Sequence, residues 1–248
     1  MRSIALLNQK GGSGKTTTAV NLAAALSESK RRVLLIDFDP SAAASSWLGA
    51  KDESRGLLDV LLGGKPLAEL VQQTALEDFD IVPSSLSLAG AEKQVAGEIG
   101  AETLLKKKCA KLPDGRWDYL LIDCPPTLGL FTLNALSAAS EVLIPVEAHV
   151  IALGGLVSLM QTVEVVRERL NPSLLVCGVL ACRVDGRTNH ARDVVGALKE
   201  KFGPLLFKTL IRENVRLAEC PSFGKPVTVF ANGSAGAEDY RALAREVL

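Results

Sequence analysis

Residues 8–26 read "NQKGGSGKTTTAVNLAAAL" and follow directly on the apolar run "SIALLN" of residues 3–8. A strand, a glycine-rich turn and a helix in that order form the setting of a phosphate cradle. Glycines let backbone N–H groups approach phosphate oxygens, and the N-terminus of the next helix favours the anion. Gly14-Lys15-Thr16 closes the pattern GxxxxGK[ST]. In that pattern Lys15 reaches the β- and γ-phosphates and the Thr16 hydroxyl ligates Mg²⁺. Gln9 holds the place of the first glycine, and a second lysine, Lys10, stands ahead of Gly11, Gly12 and Ser13. This extra lysine has no evident work in its own loop.

Outward from the loop, short apolar runs alternate with helical patterns. Strands are expected at 3–8, 32–38, 79–84, 119–125, 141–147, 174–184 and 205–211. Helices are expected at Thr16–Ser29, about Leu57–Leu62, Leu86–Val95, Ala101–Lys111, Leu130–Ala139, Leu153–Leu170, Ala191–Phe202 and from Ala235 onward. Near-continuous Val/Ile/Leu strands suit a parallel sheet covered on both faces. Their alternation with helices predicts an α/β, doubly wound, mainly parallel sheet of the P-loop NTPase type. No Pro-, Gly- or Ser-rich linker divides the chain, so residues 1–248 are read as a single domain.

Composition narrows the class. The chain has 48% hydrophobic residues and no net charge, so its total charge draws it to neither nucleic acid nor membrane. Residues 151–248 hold 13 Lys/Arg against 10 Asp/Glu, a mildly basic segment. Five scattered cysteines without a CxxC pair fit a reduced, cytoplasmic protein. The apolar run "VIALGGLVSLM" (150–160) is about half of the ~20 residues that span a bilayer.

Two more strands end in acids: "LLIDFDP" with Asp37 and Asp39, and "YLLIDCPP" with Asp123. Ligands of open α/β sheets bind outside the carboxyl ends of the strands, where these acids converge on the loop. Asp123 suits the acid that holds Mg²⁺, directly or through water. Asp39, two residues beyond Asp37, suits a residue that orients water at the γ-phosphate. Asp37 is read as support for the loop or the magnesium shell.

The stretch Lys10-Gly11-Gly12-Ser13-Gly14-Lys15-Thr16-Thr17 resembles the deviant Walker A loop KGGxGKT[T] of the ParA/MinD ATPases. In that family the first lysine reaches the nucleotide of the other subunit, which implies an ATP-dependent homodimer and a role for Lys10 in trans. The likeness to ParA/Soj partition ATPases runs nearly end to end, through "LLIDFDP", "LAGAE" (88–92), "YLLIDCPPTLGLFTLNAL", "VDGRTN" (184–189), "ENVRLAECPSFGKPV" (213–227) and "GAEDYRALAREV" (236–247). It implies a partner-stimulated ATPase that binds double-stranded DNA without sequence preference and segregates chromosome, plasmid or other cargo with a ParB-like or cargo-adaptor protein. It also implies a nucleoid-associated location in the cytoplasm. Arg187 and Arg216 fall where the family places phosphate-contacting arginines, and Lys199, Lys201, Lys208 and Arg212 are candidates to extend that surface.

The alternative is a MinD-like membrane-cycling regulator of cell division, and a metabolic ATP-dependent ligase is a third class. MinD-like chains end in a basic amphipathic helix. Here "AEDYRALAREVL" carries only Arg241 and Arg245, each beside acids, so stable membrane binding is not expected. The first strand begins at residue 3, and the expectation is a chain without the operator-binding domain of larger plasmid-type relatives. The family's Gln-Gly-Asn after Asp-Pro is replaced by Ser41-Ala42-Ala43. His149 is read as a core or loop histidine, Trp47 and Trp117 as packing residues, and "LLKKKCAK" (104–111) as a solvated helix face.

Overall fold

The computed structural model describes residues 1–51, 55–148 and 153–248; His149 lies outside them. Among the described residues seven strands join one sheet, in the order β3-β4-β2-β5-β1-β6-β7. They are β1 (Arg2–Leu6), β2 (Val33–Asp37), β3 (Gln72–Gln73), β4 (Phe79–Val82), β5 (Tyr119–Asp123), β6 (Glu141–Glu147) and β7 (Leu175–Cys182). Every pairing is parallel except that of β3 with β4. The helices are α1 (Lys15–Glu28), α2 (Ala43–Trp47), α3 (Gly56–Leu61), α4 (Glu92–Ala96), α5 (Leu104–Cys109), α6 (Leu130–Ala138), α7 (Leu153–Arg169), α8 (Asn189–Phe202), α9 (Val215–Glu219), α10 (Val227–Phe230) and α11 (Ala235–Val247).

Alternate strand residues feed two cores. Ile4, Leu6, Val33, Leu35, Leu121 and Leu180 pack with α1 and α11 on one face. Ala5, Leu34, Ile36, Ile122, Ile144 and Ala181 pack on the other with α6, α7 and α8. Because both faces are covered, β2 and β5 are apolar throughout until their terminal aspartates, and both strands are wholly buried. Helix α1 is buried from Thr18 to Ser27, caught between the sheet and α11, so it shows no single apolar stripe. The doubly wound parallel sheet is as the strand pattern predicts.

Three local expectations need correction. Residues 205–211 form no strand: the segment touches β7 through the isolated bridge Val179–Leu206. The Phe207 and Ile211 N–H groups bond β7 carbonyls, but those of Lys208 and Thr209 turn to the Glu246 carboxylate at 2.7 and 3.0 Å. The helix expected over Leu86–Val95 is broken by Gly90, whose φ of 77° leaves the helical region, into a 3₁₀ turn at Leu86–Leu88 and α4. The helix expected over Ala101–Lys111 opens as a 3₁₀ turn at Ala101–Thr103 before α5. Trp47 and Trp117 are buried, their indole N–H groups donating to the Lys225 carbonyl and the Asp80 carboxylate.

Candidate functional site

The loop that leaves β1 is moored at its start by Asn8. Its amide donates to the Pro145 carbonyl at 2.6 Å, and its carbonyl oxygen accepts the Lys10 N–H at 3.0 Å. Gly14, the last residue before α1, has φ 92°, and a Cβ there would meet the Cys182 Sγ at 3.6 Å. The left-handed φ alone strains any side chain at this position. The turn thus delivers Lys15 and Thr16 to the first turn of α1, with the helix N-terminus behind them.

Strand register then brings the acids together. Asp37 and Asp123 close β2 and β5 and are direct partners in the parallel pairing. Both are fully buried. Asp37 is held on one side by Ser45, whose N–H and hydroxyl both donate to its Oδ2 at 2.7 and 2.6 Å. Neither oxygen of Asp123 accepts a well-formed hydrogen bond. Burial pushes the Asp37 carboxyl up to about 6 against the pull of its Ser45 bonds. Burial and then the facing Asp37 charge hold Asp123 well above the usual carboxylate range, while the Thr16 hydroxyl and the Lys15 ammonium draw it down. Lys15 is itself lowered by burial, against the opposing pull of Asp123 and Asp39. A divalent cation fits this set of groups: it supplies the charge that two facing, buried carboxylates lack, and the Thr16 hydroxyl stands by as a further oxygen donor.

Asp39 stands two residues further out, at the rim, with its Oδ1 taken by the Ser41 N–H at 2.9 Å. Its carbonyl accepts from the Ser84 hydroxyl at 2.7 Å and from the Ala42 N–H at 2.9 Å. Ala42, in the stretch that departs from the family pattern, sits at φ 52°.

A cleft of about 580 Å³ opens over the loop. Its floor is Gly11, Gly12, Gly14, Lys15, Thr16 and Thr17, with Asp39 at one side. Ser13 is buried, and its hydroxyl has no partner. The far wall is Arg183, Asn214, Val215, Leu217 and Tyr240. Of these, Asn214, Val215 and Leu217 fall in "ENVRL" and Tyr240 in "GAEDYRALAREV", stretches that stood out in the sequence for their family likeness and for Arg216 rather than for a wall of this cleft. The Tyr240 hydroxyl lies 3.3 Å from that of Thr18.

Lys10 points away from the loop and pairs with Glu147 of its own chain, at the end of β6. Glu147 also takes Arg183 at 2.8 Å, so two cations share one carboxylate. The lysine therefore has a partner within the single chain, one that lies 137 residues away and that no local pattern reveals. The two arginines expected to contact DNA are not among the residues that line the cleft. Arg187 is almost wholly exposed and pairs with Asp185 at 2.9 Å. Arg216 is exposed and pairs with Glu219 at 2.8 Å. Arg212 is tied to Asp239 and Glu238 instead of standing free for a polymer surface. Lys106, Lys107 and Lys111 are exposed, as a solvated helix face requires.

A parallel sheet with a glycine loop at the end of its first strand and acids at the ends of its neighbours defines the class of P-loop nucleotide-binding proteins. The family model for an AAA domain matches residues 1–176. The chain is 47% identical to the chromosome-partitioning ATPase Soj of Thermus thermophilus, covering 100% of this chain and 96% of that one. It is 43% identical to the sporulation initiation inhibitor protein Soj of Bacillus subtilis, over 98% of this chain and 97% of the relative. The chain belongs to the ParA/Soj family of chromosome-partitioning ATPases.

Among solved structures, the cobyrinic acid a,c-diamide synthase of Mycobacterium smegmatis with a bound ATP analogue and magnesium superposes with a TM-score of 0.86. It is 34% identical and covers 99% of this chain and 93% of that one. The septum site-determining protein MinD of Pyrococcus horikoshii, complexed with Mg-ADP, gives 0.79 at 28% identity over 99% of this chain and 95% of that one. The membrane-cycling alternative therefore has the weaker likeness. No helix among the described residues is long and apolar enough to cross a membrane.

Proposed function

We propose that this chain binds ATP with Mg²⁺ in the cleft above the loop and acts as a nucleotide-gated, DNA-binding ATPase with a ParB-like or cargo-adaptor partner. The observation that carries the reading is the buried Asp123 carboxylate, unbonded, facing Asp37 and close to Lys15 and Thr16. Mg²⁺ there would supply charge neutralisation for the carboxylates and the β- and γ-phosphates. Gly11, Gly12, Ser13, Gly14 and Thr17 shape the phosphate cradle, and Lys15 offers its ammonium to the transferring phosphoryl group. Asp39, at the rim, is the carboxylate placed to orient the attacking water. Lys10 exchanges Glu147 for the nucleotide of a second copy when two chains close face to face. In that dimer Arg187 and Arg216 of both copies contribute to one DNA-binding face, consistent with a nucleoid-associated location.

The test is binding to arbitrary duplex DNA without nucleotide, with ADP and with ATP, at 50 and at 200 mM salt. Binding confined to the ATP state, retained in Asp39→Ala, lost in Lys15→Ala and steeply weakened by salt is the expected pattern. A protein that engages 6–10 phosphates loses ~10³–10⁵ in affinity over that salt range. Binding of the ATP state to anionic vesicles and not to DNA would replace this reading with the MinD-like one.

A further inference from the structure

Asp37 and Asp39 are joined through a buried circuit that leaves their strand and returns. The Ser45 hydroxyl donates to Asp37 Oδ2 at 2.6 Å and accepts the Ser84 N–H at 2.8 Å. The Ser84 hydroxyl donates to the Asp39 carbonyl at 2.7 Å. Ser45, Ser84 and Asp37 are all buried. Ser84 belongs to the segment that leaves β4, and β4 is the parallel neighbour of β2. The circuit therefore spans three segments: the end of β2, the first turn of α2, and the exit of β4.

From this juxtaposition we propose that Ser84 is a positioning residue for ATP hydrolysis, acting through Asp39; the inference rests on the ATPase reading above. The Asp39 carboxylate sits at the rim, and its Oδ1 is engaged only by the next turn of its own loop, at the Ser41 N–H. Its distance from a γ-phosphate held by Lys15 is therefore set by the backbone that carries it. That backbone is pinned at one carbonyl, from β4, by a donor that is itself fixed to the Asp37 side chain through Ser45. With Ser84 in place, the loop from Asp39 to Ala43 holds one position relative to the strand ends. Without its hydroxyl the Asp39 carbonyl keeps only the Ala42 N–H, within the loop, and the Asp39 backbone is left with one longer tie to the strand end, its N–H on Asp37 Oδ1 at 3.3 Å, so its position is held less tightly. A displacement of about 1 Å at a group that orients a reactant costs up to about 10²-fold in rate.

The experiment uses the full chain. Single-turnover hydrolysis of γ-labelled ATP and affinity for a fluorescent ATP analogue are measured for wild type, Ser84→Ala, Asp39→Ala and the double variant. The expected result is a roughly tenfold loss of rate in Ser84→Ala with nucleotide affinity unchanged, and a double variant no slower than Asp39→Ala alone. Rates fall together with affinity, or multiply in the double variant, if Ser84 only holds the fold, and either outcome overturns the proposal. Wild-type turnover in Ser84→Ala does the same while leaving the ATPase reading intact. Wild-type turnover in Asp39→Ala removes the role given to Asp39, and the proposal with it. Ser84→Cys, which keeps the volume and a weak donor, is the second variant should alanine at this buried place fail to fold. Its rate is expected between the other two, and a rate equal to wild type at unchanged affinity counts against a hydrogen-bonded role.

Discussion

Asp123 is a buried carboxylate that accepts no well-formed hydrogen bond, set opposite a second carboxylate across the parallel pair β2–β5. A carboxylate in that state is costly to the empty fold, which pushes it toward its neutral form, and a bound cation relieves that cost. Asp123→Asn removes the charge and keeps the shape, so the nucleotide-free chain should unfold at a higher temperature. A gain of about 1–3 kcal/mol is in range for relieving one badly solvated buried group. That corresponds to roughly 2–4 °C per kcal/mol in a domain of this size. The same variant should lose the further stabilisation that Mg·ATP gives wild type, which reaches about 2.7 kcal/mol at a hundredfold excess over the dissociation constant. Thermal melts with and without Mg·ATP check both halves. A variant that melts lower than wild type when empty, or still responds fully to Mg·ATP, is incompatible with Asp123 as the carboxylate that awaits the metal.

At the scale of elements, two helices frame the loop: α1 begins at Lys15, and α11 closes over α1. The apolar face of α11, Ala237, Tyr240, Leu243, Ala244 and Val247, is buried in the core on that side of the sheet. Arg241 pairs with Glu28 at the end of α1. The face that would enter a lipid surface is thus spent on packing. Leu243→Ala should cost about 2–5 kcal/mol in chemical denaturation, as a core leucine does; a cost below about 1 kcal/mol would mean the helix is only loosely docked.

The opposite end of the sheet is tied by Asp118, which accepts from the Arg32 N–H at 2.9 Å and from its guanidinium at 2.8 and 3.2 Å. The Arg32 bonds hold the Asp118 carboxyl down at about 2. A depressed folded value means that its contribution is complete above the unfolded value near 3.9 and is lost as pH falls through about 2. Asp118→Asn should therefore melt below wild type at pH 7, and the gap should narrow as the pH is lowered toward 2; a gap that persists unchanged would assign the loss to shape instead of charge. The strands β2 and β5, unbroken apolar runs ending in aspartate, and α1, set directly behind the glycine loop, carry a signal that was legible in the sequence. Elements without such a signal were not. The strand Gln72–Gln73 is two polar residues that pair only because β4 is beside them, and residues 205–211 look like a strand but spend two of their N–H groups on Glu246.

Over the whole molecule the positions of the loop and the three aspartates could be read from sequence, because strand ends in a parallel sheet share one edge. Their partners Ser45, Ser84 and Glu147 could not, since each arrives from another strand or turn. Pairing between side chains also bears on how a chain with no net charge would hold a polyanion. Its surplus of cations lies in residues 151–248, yet Arg187 and Arg216 each spend their charge on a carboxylate two or three residues away. Exposed pairs of this kind are worth little in water, so a phosphate can compete for the arginine, but it must first displace the acid. Removing the acid should then favour DNA as directly as removing the arginine disfavours it. With ATP present, Arg187→Ala and Arg216→Ala should each weaken binding to arbitrary duplexes alike and lower the slope of log K against log salt by about one for every phosphate left without its arginine. In a symmetric dimer each substitution strips the arginine from two phosphates. Asp185→Asn should strengthen binding and leave the ATP requirement in place. Affinities measured by anisotropy across a salt series would show this, and a change confined to particular DNA sequences, or an Asp185→Asn variant that binds more weakly than wild type, would place the polymer on another face of the protein.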